Sequence, residues 1–556
     1  MAVLAATIDT GWTPGERLLT DLLDGAVARC PDRVAVDFLG RTWRYRDIGS
    51  MVDHAARGLQ DLGLRKGDRF ALCLPNMPYF IVLYFAALRI GAVVVNLNPL
   101  YTRREMDHLI RDSGAKMIAI PDLALIHDKV REVGPPAGIE RIIMCKMASI
   151  LPPLQSLGWR LFKRREHAHF TDDRLHLDFA SLIAGAGVPD PVAVSPHDLA
   201  VLQYTGGTTG LPKGAMLTHA NLAANSAQML RHIGHDMTVP ERTLGILPMF
   251  HVFALTSVLN FSIEIAAEIV LLPRFDLAQM MKTIRRKPPT IMFGVPTIFV
   301  AINNGVTPAD APDLSHLTAC VSGGAPLPLD VRQKFEALTG ATVVEGYGLS
   351  EASPIITCNP IKGVIKDNSC GPQFPGTVIE IRDPMNPATL MPTGEKGEVC
   401  ARGPQIMAGY WHKPEETAAV FVDGALRTGD IGYLDADGYL FLVDRIKDVI
   451  LCGGYNVYPR VIEDAIYHHP AVEEAIAIGI PDEYRGQSPK LFVKLRAGST
   501  ATADELMTFL AGYVSKIEIP KEIEFRDSLP KTLVGKLSKK ELVEEERVRR
   551  ANAQAT

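Results

Sequence analysis

Tyr204-Thr205-Gly206-Gly207-Thr208-Thr209-Gly210-Leu211-Pro212-Lys213-Gly214 is the stretch on which the reading of this chain turns. It follows a short apolar run, Leu199 to Leu202, and precedes a segment that reads as a helix from about Leu217 to Ile233. Glycines let backbone N–H groups turn toward an anion without Cβ interference. Thr205, Thr208 and Thr209 add hydroxyl donors, and Lys213 adds a mobile positive charge. A flexible, hydroxyl-lined, cationic loop at a strand end suits a polyphosphate. It is not a Walker A loop, which needs Gly-Lys-Ser/Thr leading straight into a helix. Here Pro212 precedes Lys213 and Gly214 follows it.

Outward from this loop, strand-like apolar runs alternate with helical patterns. They include Phe70–Leu74, Val93–Leu97, Met117–Ile120, Ile142–Met144, Thr290–Phe293 and Ala319–Val321. Such alternation predicts an α/β fold of layers with largely parallel sheets. After about residue 375 the texture changes to Gly-, Asp- and Pro-rich turns, Pro392–Glu395 and Asp435–Gly438, which predict antiparallel hairpins and a β-rich subdomain. From Arg445 onward the pattern is that of a smaller α+β unit, with helices expected near Pro459–His468 and Ala503–Ser515 and a strand near Lys490–Leu495. The expected division is a large N-terminal domain, 1–443, and a small C-terminal domain, 444–556.

With 556 residues, two or more domains are expected. A net charge of -5 carries no general nucleic-acid footprint, so no nucleic acid is expected as partner. The 8 cysteines show no paired spacing, which points away from a zinc site or a disulfide framework and toward a reducing compartment. No secretory signal reads at the N-terminus, and a cytoplasmic location is expected. Tyr79–Leu88 is too short to span a bilayer and reads as a buried helix. Ile150–Arg165 mixes Leu154, Leu157, Trp159, Leu161 and Phe162 with Arg160, Lys163, Arg164 and Arg165. It reads as a surface excursion with a solvated basic end. The competing reading is peripheral contact with the inner face of a membrane, although Pro152-Pro153 and Gly158 weaken a helix there.

Further motifs follow in order: Ser322-Gly323-Gly324-Ala325-Pro326-Leu327, Glu345-Gly346-Tyr347-Gly348-Leu349-Ser350-Glu351, Arg427-Thr428-Gly429-Asp430, Asp444-Arg445-Ile446-Lys447-Asp448, and Leu529-Pro530-Lys531-Thr532-Leu533-Val534-Gly535-Lys536. Together with the opening loop they resemble the adenylate-forming superfamily of acyl-CoA synthetases, luciferases and adenylation domains. The resemblance covers essentially the whole chain. In detail, Pro248-Met249-Phe250-His251-Val252-Phe253, Gly403–Met407 and Asn456–Pro459 resemble bacterial long-chain fatty acid–CoA ligases most.

The resemblance implies an ATP-dependent ligase. It would activate a medium- or long-chain carboxylic acid as an acyl-adenylate, release pyrophosphate, and transfer the acyl group to CoA. Thr205, Gly206, Gly207, Thr208, Thr209, Gly210 and Lys213 would hold the departing phosphates. Tyr347 would stack on adenine, with Gly323, Gly324, Ala325, Gly346 and Gly348 around it. The glycines flanking Tyr347 favour an exposed, tightly turned loop over a core aromatic. Asp430 would accept from the ribose hydroxyls, and Arg445 would contact ribose or phosphate. Glu351 would bind Mg2+, and Ser350, where many relatives carry Thr, keeps the hydroxyl for a phosphate. Lys536 would bridge the carboxylate and the α-phosphate. Asp444 would be the hinge about which the small domain rotates, bringing Gly453 and Gly454 to the pantetheine of CoA. His251 would gate or position near the acyl and thiol sites. A dicarboxylate substrate, a carrier protein acting in trans, and a homodimer all stay open.

Overall fold

A computed structural model describes residues 14–185, 187–205, 212–453, 455–531 and 537–554, the last four without their side chains. Two eight-stranded sheets organise the large N-terminal part. One runs Ile355–Cys358, Val344–Gly348, Ala319–Ser322, Ile291–Gly294, Arg242–Gly245, Glu268–Leu271, Val34–Phe38, Arg41–Arg44. Its interior pairings are parallel, and both edges are closed antiparallel. The other runs Gly409–Tyr410, Lys213–Thr218, Leu199–Thr205, Val93–Asn96, Arg69–Leu72, Ala115–Pro121, Arg141–Cys145, His176–Asp178. It is parallel from Leu199–Thr205 onward.

Strand periodicity divides the second sheet between two cores. Phe70, Leu72, Val94, Met117 and Ala119 face the central core shared with the first sheet. Ala71, Cys73, Val93, Val95, Ile118 and Ile120 face an outer core completed by helices Arg103–Ser113 and Ala124–Ala137. Alternation of this kind follows from side chains pointing to opposite faces at successive positions. Helix Pro78–Arg89 lies in the central core with every residue from Pro78 to Leu88 buried. This bears out the buried-helix reading, and among the described residues no helix is long and apolar enough to cross a membrane.

A five-stranded antiparallel sheet, Val378–Arg382, Gly397–Arg402, Ala425–Leu434, Phe421–Val422 and Leu440–Arg445, follows, with its turns at 392–395 and 435–438 as expected. The C-terminal part is α+β. Strands Ile450–Cys452, Tyr455–Val457, Val472–Asp482, Gly486–Leu495 and Glu522–Phe525 pack on helices Pro459–Tyr467 and Ala503–Leu510 around a core of their own.

Two local expectations are corrected. The glycine-rich segment does not lead into a helix at Leu217. Strand Lys213–Thr218 comes first, antiparallel to Leu199–Thr205, and the helix is His219–Ile233. Thr218 sets that boundary, because its side chain accepts from the Asn221 N–H at 3.1 Å while the Asn221 side chain accepts from the Thr218 N–H at 3.0 Å. The second is the helix expected over Ala503–Ser515, which ends at Leu510, two residues before Gly512.

Strand Val344–Gly348 carries two constraints. A Cβ on Gly348 would lie 2.0 Å from the Pro354 carbonyl oxygen, a backbone atom with nowhere to go. Gly348→Ala is expected to destabilise the protein by about 2–4 kcal/mol in urea unfolding; a loss within error would contradict the packing described. On the same strand, Glu345 is buried and accepts from the Leu327 N–H at 3.0 Å. Burial pushes its carboxyl from 4.5 up to about 6, against the pull of that N–H and of Arg460 and Arg332. Below about pH 4.5 both folded and unfolded forms hold the proton. As pH rises from there to about 6, the unfolded chain releases it first, so stability falls and stays lower above. Glu345→Gln is therefore expected to be more stable than the parent by about 1–2 kcal/mol above pH 7, with the gap closing below about pH 4.5. A gap that does not vary with pH in the same unfolding series would contradict this.

Candidate active site

The strands on either side of the opening loop pair antiparallel. Thr205 ends one strand and stands opposite Lys213, which begins the next. The Thr205 hydroxyl donates to the Lys213 carbonyl at 3.4 Å. Gly206, Gly207, Thr208, Thr209 and Gly210 lie outside the described residues. The Lys213 ammonium sits 5.1 Å over the ring of Tyr410, a cation–π contact. The Tyr410 hydroxyl in turn donates to Glu351 Oε1 at 2.7 Å. Burial first, and then the Glu351 carboxylate, raise the Tyr410 hydroxyl well above its ordinary value, so it stays a proton donor to that carboxylate.

Lys213 and Glu351 thus meet on one aromatic ring. Glu351 lies on the single turn Ser350–Ala352, and its backbone carbonyl accepts from the Met407 N–H at 2.8 Å. Among the described residues no group of three or more His, Cys, Asp or Glu could hold a metal. A single carboxylate with one oxygen held by Tyr410 fits an ion that takes most of its ligands from phosphates and water. Tyr410 was not singled out from the sequence. The nearest signal is its place three residues beyond the Gly403–Met407 motif.

Asp430 forms the second constellation. Its Oδ2 accepts from the Tyr347 hydroxyl at 2.5 Å, and its Oδ1 lies 3.1 Å from Arg445 Nε. Antiparallel register places Asp430 directly opposite Arg445. Asp430 raises the Arg445 guanidinium above its ordinary value, and burial followed by Asp430 raises the Tyr347 hydroxyl. Local backbone order comes from Thr428, whose hydroxyl donates to the Val399 carbonyl at 2.7 Å and accepts from the Asp430 N–H at 3.1 Å. The expectation that Tyr347 sits on an exposed turn is corrected. It lies within strand Val344–Gly348, half-buried and packed beside Ile356, Ile379 and Leu440. Of the glycines beside it, Gly348 serves close backbone contact, since the Pro354 carbonyl leaves no room there for a Cβ.

Gly323 and Gly324 follow strand Ala319–Ser322. The Gly323 N–H donates to the Gly294 carbonyl at 3.1 Å, and a Cβ there would come 3.0 Å from the Phe253 ring. Gly324 has φ +83, a conformation that side chains rarely adopt, and half-buried Ala325 continues the loop. His251 caps the short helix Val252–Ala254, its Nδ1 accepting from the Phe253 N–H at 3.3 Å. In the neutral ring this puts the proton on Nε2.

Asp444 lies in strand Leu440–Arg445. Its Oδ1 accepts from the Arg445 N–H and its Oδ2 from the Arg460 N–H, each at 2.8 Å. The carboxylate therefore ties the last strand of the β-rich sheet to helix Pro459–Tyr467. Gly453 turns between strands Ile450–Cys452 and Tyr455–Val457 with φ +59, and its N–H donates to the Arg485 carbonyl at 2.7 Å. Gly454 and Lys536 lie outside the described residues. Lys531 pairs with Leu537 on either side of the segment holding Lys536.

Residues 23–411 match the family model described as AMP-binding enzyme, and residues 461–536 match that of the AMP-binding enzyme C-terminal domain. The chain is 41% identical over 534 residues to a long-chain-fatty-acid–CoA ligase of Bacillus subtilis, covering 95% of each. It is 36% identical over 544 residues to the ligase of the same name from Escherichia coli, covering 95% of this chain and 94% of the relative. The crystal structure of ATP-bound MatB from Rhodopseudomonas palustris superposes with a TM-score of 0.83 at 28% identity, over 95% of this chain and 98% of that one. Ordered motifs, paired Lys213–Glu351 and Asp430–Arg445 constellations, and these matches lead to one conclusion: the chain belongs to the AMP-binding, adenylate-forming enzyme family.

Proposed function

We propose that this chain is an AMP-forming ligase that joins a medium- or long-chain fatty acid to CoA. The observation that carries the reading is its near full-length similarity to bacterial long-chain-fatty-acid–CoA ligases. ATP and the acid are both anionic, so charge neutralisation is the first demand on the site. Thr205, the loop 206–210 and Lys213 hold the β- and γ-phosphates, and Ser350 donates to a phosphate. Glu351 holds Mg2+, which when bound supplies positive charge at the phosphate oxygens. The two oxygens of Asp430 receive the ribose hydroxyls, sharing the carboxylate with Tyr347 and Arg445. Tyr347, Gly346 and Gly348 flank adenine on one side, and Gly323, Gly324 and Ala325 on the other.

Lys536 bridges the acid carboxylate and the α-phosphate while a carboxylate oxygen bonds to phosphorus and pyrophosphate leaves. A domain 444–556 then turns about Asp444 against 1–443, carrying Lys536 away. Gly453 and Gly454 line the approach of pantetheine. The thiol releases its proton to solvent, its sulfur bonds to the acyl carbon, and AMP leaves with the electron pair of the broken acyl C–O bond. His251 positions the acyl group beside that approach. Because the acid is itself an amphiphile, we infer that the working enzyme contacts the inner face of a membrane peripherally.

Lys536→Ala is expected to lower fatty-acid-dependent pyrophosphate exchange by at least about a hundredfold while leaving ATP binding intact. Unchanged exchange would contradict its role. Glu351→Gln is expected to raise the Mg2+ concentration needed for half-maximal exchange by about tenfold or more; an unchanged requirement would move the metal elsewhere. Across a panel of mono- and dicarboxylic acids, AMP release should be highest with long monocarboxylates and should rise on adding CoA. Release indifferent to CoA would favour a carrier protein as acceptor.

A further inference from the structure

Helix Pro153–Phe162 is amphipathic the wrong way round for a globular surface. Leu154, Leu157 and Leu161 recur at i, i+3 and i+7, with Phe162 beside them, and all four point into solvent. Leu154 and Phe162 are each 86% exposed, and no residue of the helix is buried. The helix is nonetheless well anchored on its inner side. The Ser156 hydroxyl donates to the Ala148 carbonyl at 2.7 Å, and Trp159 packs against the central core and stacks on His167 with ring centroids 5.4 Å apart. Pro153 sits in the first turn, where its missing N–H costs nothing, so the prolines start this helix and do not break it. Leu125, 77% exposed, is two residues along from Leu123, which pairs with His167.

Cations border this apolar stripe. Arg160, Lys163, Arg164 and Arg165 are all exposed, against one carboxylate, Glu166, which pairs with Lys163 at 2.5 Å. Beside them a cleft of about 750 Å3 is lined by Lys146, Arg160, His167 and His169, with Asp122 its one carboxylate. The chain as a whole carries -5, so this is a local reversal of sign. Outward leucines and a phenylalanine rimmed by long basic side chains are the chemistry of a helix lying in a lipid interface, its apolar face among the acyl chains and its cations among anionic headgroups.

We propose that helix Pro153–Phe162 and the basic turn Lys163–Arg165 form the surface by which this protein docks on an anionic phospholipid bilayer. The proposal rests on the membrane contact inferred above and names the segment that makes it. A second copy is a poorer occupant. A two-fold contact would set Arg164 and Arg165 near their own symmetry mates, like charge against like.

The test is flotation of the full-length protein with vesicles of phosphatidylcholine alone or mixed with phosphatidylglycerol. Binding is expected only to the mixed vesicles and should weaken with salt. It should fall about tenfold or more in L154S/L161S/F162S and again in R160Q/K163Q/R164Q/R165Q. These side chains are exposed, so both variants should keep the parent's melting temperature and its acyl-CoA synthesis from a soluble medium-chain acid. Undiminished flotation of both variants overturns the proposal. So does light scattering in which the apolar variant loses a dimer while its flotation is unchanged. A parent that makes acyl-CoA but does not float overturns the docking surface alone. A parent that floats as described but activates no acid supports the surface and overturns the ligase reading.

Discussion

A helix with no wet face governs this architecture. Pro78–Arg89 is apolar all round, so it has to be enclosed on every side, and two sheets with their helices supply the enclosure. Only Arg89, at its end, reaches charge, pairing with Asp24 and Asp53 at the surface. Sandwiching the helix orients both sheets, and their parallel strands then deliver loops at their C-terminal ends. Thr205, Ser322 and Gly348 each end such a strand, and each lies within one of the sequence motifs. Ligand sites in open α/β sheets form at those strand ends.

The site built there is a set of held carboxylates. Asp430 is gripped by Tyr347 and Arg445, and Glu351 by Tyr410, whose ring also carries Lys213. Donors at fixed positions hold these carboxylates in a set orientation, so little reorganisation is needed when substrate arrives. The arrangement also couples regions far apart in sequence. Tyr347 belongs to the first large sheet, Asp430 and Arg445 to the β-rich sheet, and Asp444, next to Arg445, ties the latter to the small C-terminal part.

Much of this was legible in the chain, because it rests on local pattern. Apolar runs such as Ile142–Met144 and Ala319–Val321 mark strands directly, and motif order identifies the family. What stayed hidden depends on pairing between distant segments. Strand Lys213–Thr218 is short, and its partners are Leu199–Thr205 and Gly409–Tyr410, so a following helical pattern absorbed its end. Tyr347 read as exposed because its flanking glycines resemble a turn, when both lie in a paired strand and Gly348 packs closely against the Pro354 backbone. Tyr410 has no signature of its own; its role comes from the edge strand that brings it to Glu351. Composition showed that Ile150–Arg165 is mixed, but only the fold shows which face is turned outward.

The central claim is that the acid is activated on phosphorus at the α position of ATP and then handed to a thiol. Isotope tracing tests this in one turnover. With a fatty acid labelled with 18O in both carboxylate oxygens, the oxygen that bonds to phosphorus leaves with the nucleotide when the thioester forms. The account predicts one 18O in AMP, none in pyrophosphate, and one retained in the acyl-CoA carbonyl. Label in inorganic phosphate with ADP as the nucleotide product, or AMP free of label, would contradict it.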